Sequence, residues 1–197
     1  MTHAIDRLLD DLHLMRGSRV LHVGLDTTPT AERLRDDRDV EVTHFTPASD
    51  LSALPHDDGC FDAIVSESPD LHGLASEPAA TELTRVLGTG GLIALLAPTV
   101  ESELPERLAP VDELWPWLTT APSLRDLQRL YLEAGLRVVS AVDESGLLRE
   151  QHEASKTSLL AETWRDAKEL LKFGVVQLTR VSFAKGRPHL GDGARKS

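Results

Sequence analysis

Three histidines, His22, His44 and His72, fall near the carboxyl ends of predicted strands, and Asp26 follows the first of them within four residues. Three imidazoles and a carboxylate form a ligand set that Zn²⁺ accepts. No short ligand spacing such as H-x₃-H accompanies them, so they are read as a polar rim and no metal is assigned. His72, within DLHGL, carries an imidazole whose ordinary pKa suits a general base acting on a substrate hydroxyl or amine. Its plainer role is to cap the loop after a strand. Aromatic residues make up only 4% of the chain, so their positions carry information. Trp115, Trp117 and Tyr131 either line a substrate pocket or pack loops onto a sheet, since large rings serve both ends. Trp164 reads as a packing anchor or part of a homodimer face, and Cys60, beside Phe61, as an inert thiol.

These residues are positioned by a pattern of alternating strands and helices. The stretch GSRVLHVGLDTTPT (Gly17 to Thr30) reads as a buried strand, a tight turn at Gly24, and a helix opened by Thr28 and Pro29. A hydroxyl at the cap and proline at the first helical position suit the unsatisfied N–H groups of a helix start. Before it, Thr2 to Arg16 predicts an amphipathic helix with Ile5, Leu8, Leu9, Leu12 and Met15 on one face. After it come a strand at Asp39 to Phe45, a turn-rich loop to Gly59, and a strand at Cys60 to Ser66. Glu77 to Leu87 predicts a helix closed by the glycines of LGTGG, and Leu92 to Pro98 is apolar enough for mid-sheet. Ser123 and Asp126 form a capping box for a helix that stops at Gly135. Leu136 to Val142 predicts a strand, Leu147 to Phe173 a helical region, and Val175 to Lys185 the last strand. The fold class is therefore α/β: a doubly wound, mostly parallel sheet with helices on both faces and an antiparallel last strand. Residues 1–185 read as one domain and 186–197 as a flexible tail.

Composition narrows the function. At 197 residues the chain supports one full core. A net charge of −11 opposes general binding to nucleic acid or to anionic membranes. No apolar run is long enough to span a bilayer, the opening residues are too acidic for a signal peptide, and one cysteine excludes an internal disulfide. A cytoplasmic protein with a small-molecule substrate is expected.

Five ordered segments resemble one family. RVLHVG stands at the position of a first cofactor strand, LSALPHDDGCFDAIVS resembles an LPF-x-D-x-SFD-x-V segment, and ELTRVLGTGGLIALLAP resembles E-x-x-RVLKPGG followed by a strand. LQRLYLEAGLRVVSA and VSFAKGR match the later helix–strand and closing-strand segments. The chain thus resembles the class I S-adenosylmethionine-dependent methyltransferases of the type 11 branch. The resemblance implies a Rossmann-like fold, S-adenosylmethionine as cofactor, and methyl transfer to a small molecule. It places the cofactor against His22, Gly24, Asp26, Thr28, His44, Phe45, Asp50, Leu51 and Ser66. Here His22 replaces the first-strand acid, Asp26 and Thr28 replace later glycines, and His44 replaces the acid that accepts from both ribose hydroxyls. Asp50, Leu51 and Ser66 keep the adenine side. The motif is degenerate, and the alternative reading is a non-catalytic or repurposed methyltransferase fold, acting as a binding or regulatory partner or holding another ligand.

Overall fold

The apolar run that the sequence sets at mid-sheet lies there. The computed structural model describes residues 2–24, 29–36, 39–46, 51–67, 73–102, 121–146 and 175–186. Its strands are β1 (Arg19–Val23), β2 (Glu41–Phe45), β3 (Phe61–Ser66), β4 (Leu87–Val100), β5 (Leu136–Asp143) and β6 (Val176–Lys185). They form one sheet in the order β2-β1-β3-β4-β6-β5. The pairs β2-β1, β1-β3 and β3-β4 are parallel, and β6 runs antiparallel between β4 and β5. The antiparallel closing strand expected from sequence is thus present.

Among the described residues, four helices lie on the two faces: α1 (Thr2–Asp10), α2 (Pro29–Asp36), α3 (Glu77–Val86) and α4 (Leu124–Glu133). Side chains alternate across a strand, so β1 serves both cores. Leu21 and Val23 join Leu83 of α3 and Leu127 of α4, while Val20 joins Ile5 and Leu8 of α1 and Leu34 of α2. Ser76 caps α3 by accepting from the Ala79 N–H at 3.4 Å. The Ser123 hydroxyl accepts from the Asp126 N–H at 3.0 Å and donates to the Asp126 carboxylate at 2.8 Å. The sequence paired these two residues for this end, and Gly135, at φ +92°, closes the other.

Two local expectations are corrected. The first helix ends at Asp10 rather than Arg16: His13 takes φ 47°, a left-handed turn that stops the helix, and Met15 is left 75% exposed. Leu12 stays buried, so the apolar face holds up to the turn. The glycines of LGTGG do not cap α3; they belong to β4, where pairing with β3 jumps from Phe61↔Leu87 to Ala63↔Leu92. The carbonyls at the end of α3 are met instead by Lys185, whose Nζ donates to Thr84 O and Leu87 O at 2.7 Å each. The helical region 147–173, with Trp164, and the tail 187–197 lie outside the described residues.

Candidate functional site

In an open α/β sheet, ligands bind outside the carboxyl ends of the parallel strands. Here those ends are His22–Val23 of β1, His44–Phe45 of β2 and Val65–Ser66 of β3, held level by the register His22↔His44 and His22↔Val65. Parallel pairing therefore sets two histidines side by side. Their Nδ1 atoms are 3.2 Å apart, so one donates and the other accepts, and the rings meet edge to face at 5.2 Å. His22 is fully buried. Burial, then the neighbouring His44 and Arg35, lowers its pKa to about 4, so it is neutral at physiological pH.

Gly24 follows directly, its N–H bonded to the Phe45 carbonyl at 3.0 Å. A Cβ at Gly24 would meet the His22 ring at 3.0 Å. The glycine the sequence marks for close approach to a ligand thus also makes room for an imidazole.

Across the turn, α2 presents its N-terminus. The Thr30 N–H donates to Glu67 Oε1 at 2.8 Å. Glu67 is the first residue after β3, so a carboxylate from one strand end caps the helix that follows another. Anions are favoured at this position by the helix dipole. The second carboxylate oxygen, Oε2, is buried without a partner, and so are the hydroxyls of Thr30 and Ser66. Thr30 and Ser66 are themselves 0% and 1% exposed. Buried polar atoms without a partner are rare in folded chains, and these belong to residues at the end of β3 and the start of α2, the edge where this kind of sheet holds ligands.

The sequence-predicted residues fall in different places. His22, Gly24, His44, Phe45 and Ser66 gather at the strand ends as expected. Leu51 is buried in the core on the α3 side, and its methyl lies where a Cβ on Gly73 would be, at 2.8 Å. Tyr131 is a correction: it is fully buried, stacks on Phe183 at 4.6 Å, and donates to the Leu74 carbonyl at 3.2 Å. Its apolar ring and its hydroxyl are both satisfied inside the core, the packing role rather than the pocket one. Asp26, Thr28, Asp50, His72, Trp115 and Trp117 lie outside the described residues. Among the described residues no group of three metal-ligating side chains converges. Glu67 was missed by sequence reasoning; the available signal was an acid placed directly after an apolar strand, beside the rim serine.

No family model matches the chain, and no curated protein sequence does. Solved structures do. Phosphoethanolamine N-methyltransferase 2 of Haemonchus contortus, in complex with phosphomonomethylethanolamine and S-adenosylhomocysteine, superposes with TM-score 0.79 at 13% identity, over 94% of this chain and 53% of that one. This chain therefore spans about half the length of that enzyme. Geranyl diphosphate C-methyltransferase of Streptomyces coelicolor A3(2) gives TM-score 0.70 at 14% identity, covering 93% of this chain and 77% of that one. The [4+2]-cyclase SpnF gives 0.67 at 17% identity, over 93% and 81%. The chain has the class I methyltransferase fold. Among the described residues no helix is long and apolar enough to cross a membrane.

Proposed function

We propose that the chain binds S-adenosylmethionine at the carboxyl ends of β1, β2 and β3 and transfers its methyl group to a small molecule. The observation that carries this reading is the set of open polar atoms on Thr30, Ser66 and Glu67, at the edge where this fold holds ligands. The ligand's zwitterionic end suits them in part: its ammonium is a partner for the Glu67 carboxylate. His44, at the position the family resemblance gives to a ribose-binding acid, has an imidazole that can hold one hydroxyl. Asp50 and Leu51 are proposed for the adenine side, Trp115 and Trp117 for the substrate, and His72 as a base. When bound, the cofactor supplies an electrophilic methyl on sulfur. The chain's residues bind it and hold the acceptor in line, and orientation alone can lower such a barrier substantially.

A second reading is favoured by Glu67. Because that carboxylate already occupies the α2 N-terminus, the fold also suits a binding or regulatory protein with a different ligand. Cyclase SpnF illustrates that this fold accompanies reactions other than methyl transfer.

Thermal unfolding with millimolar S-adenosylmethionine or S-adenosylhomocysteine separates the two. A ligand at ten times its Kd stabilises the native state by about 1.4 kcal/mol. For a chain of this size that raises Tm by about 3–6 °C. No shift with either ligand overturns the methyltransferase reading.

A further inference from the structure

Parallel register sets the imidazoles of His22 and His44 against each other, with their Nδ1 atoms 3.2 Å apart. That contact holds one proton. With a proton on each Nδ1 the two N–H groups would point at one another, and with none neither ring would donate. The rings differ in how readily they take a further proton. His22 is fully buried and His44 half-buried, so charging His44 costs less. An imidazolium carries N–H on both nitrogens. A charged His44 therefore donates from Nδ1, and neutral His22 accepts at its own Nδ1 in a charge-assisted bond. A second proton would set two like charges side by side in a buried place, and it reaches His22 only near pH 4. The pair thus takes its protons in two separate steps.

The charged groups on the elements around the pair are few among the described residues. Arg35, in the last turn of α2, adds positive charge that acts on His22. Arg33 of the same helix is paired with Asp6 of α1 at 2.9 Å, and Glu32 and Asp36 are exposed. Glu67, past the end of β3, holds the Thr30 N–H through one oxygen. Arg19 and Glu41 stand at the opposite ends of β1 and β2, and Asp62, bonded to Arg19, is at the opposite end of β3. The remaining neighbours on this face are apolar: Ile5 and Leu8 of α1, Ala63 and Val65 of β3.

A positive charge at these strand ends bears differently on two S-adenosyl compounds. S-adenosylmethionine carries a sulfonium cation, and S-adenosylhomocysteine has a neutral thioether in its place. Like charges repel more strongly in a partly buried crevice than in water. We propose that His22 and His44 form a one-proton switch: in mild acid the pair holds a charge on His44, and the crevice then disfavours the sulfonium ligand relative to the thioether. This rests on the crevice binding S-adenosyl ligands, as proposed above. His44 is the group that charges, and His22 is the positioning residue that receives its N–H.

Calorimetric titration with both ligands, from about pH 7 to about pH 5.5, tests it across the range where histidine charges. The affinity for S-adenosylmethionine relative to S-adenosylhomocysteine is expected to fall about threefold or more over that range. His44→Gln abolishes the change. His22→Leu, which removes the acceptor, moves the change to lower pH. His22→Asn, whose amide oxygen can stand in for Nδ1, moves it back, a rescue that a merely structural His22 would not give. Imidazole NMR of the wild-type chain supplies an independent readout, with His44 charging before His22 as pH falls. A relative affinity that stays flat, a change that survives His44→Gln, or charging of His22 first overturns the inference and leaves the methyltransferase reading standing. If neither ligand binds at either pH, that reading falls, and the switch falls with it.

Discussion

His22 Nδ1 lies 3.2 Å from His44 Nδ1, across the paired ends of β1 and β2. One proton serves both atoms in this contact, and the buried His22 ring resists taking another. Its pKa falls to about 4 from the usual 6.5, through desolvation first and then through His44 and Arg35. The unfolded chain therefore binds a proton at this residue at a higher pH than the folded one. Stability from His22 is complete above about pH 6.5 and is lost as pH drops toward 4. The slope is about 1.4 kcal/mol per pH unit, amounting to about 3 kcal/mol across the window. His22→Gln removes the titration. Urea unfolding from pH 7 to pH 4 should show the wild-type advantage over this variant shrinking by about that amount, and a constant difference would refute the buried neutral imidazole.

A second charge cluster ties the first helix to the closing strands. Arg180 on β6 is 8% exposed; it donates to Glu144 Oε1 at 2.9 Å and to the Asp11 carboxylate. Glu144, 4% exposed, also accepts from Arg7 at 3.1 Å. Removing one member of a buried pair leaves the other charge uncompensated. Arg180→Met should lower unfolding free energy by about 3 kcal/mol. Adding Glu144→Gln should recover part of the loss, because it removes the more deeply buried of the two carboxylates that Arg180 served, while Asp11 stays and Arg7 gives up an ion pair for a neutral acceptor. If the double variant is as unstable as the sum of the singles, the two residues are not coupled.

The succession of strands and helices was legible because it rests on local signals: apolar strand runs, the cap at Ser123, proline at the first position of α2, and a stop at Gly135. The site was legible only in part. His22 and His44 could each be placed at a strand end, yet their contact depends on β1 and β2 pairing residue for residue, which no local pattern encodes. Glu67 reaches Thr30 across 37 positions of sequence. Met15 was set on an apolar helix face because periodicity extends through it, whereas the left-handed His13 ends the helix first. Tyr131 carries an i+4 relation to Leu127 on α4, a core spacing that competed with its appeal as a pocket aromatic.

The excursion between the two pairing segments of β4 makes its own prediction. A Cβ on Gly91 would sit 2.7 Å from Leu87 Cδ1 and 2.9 Å from the carbonyl oxygens of Asp62 and Gly88. Two of those neighbours are backbone and cannot swing away. Gly91→Ala should therefore destabilise by about 2 kcal/mol or more, as overpacking in a rigid setting does. Gly146→Ala, where a Cβ would meet nothing within 4 Å, is the control and should lie within about 0.5 kcal/mol of wild type. Equal stability of the two variants would show that the strand yields around residue 91.

Tyr131 separates packing from ligand binding. Its ring is fully buried against Phe183, and burial alone pushes its phenol far above the ordinary range, so it stays protonated and donates to Leu74 O. Tyr131→Phe keeps the stacking and leaves one carbonyl without its donor, which costs about 1 kcal/mol. Tyr131→Ala opens a cavity between α4 and β6 and costs about 3–5 kcal/mol. Neither change touches the ends of β1, β2 and β3. In the phenylalanine variant, affinity for any ligand that shifts the wild-type Tm should stay within about twofold while Tm itself falls. A selective loss of affinity at unchanged Tm would return Tyr131 to the wall of a pocket.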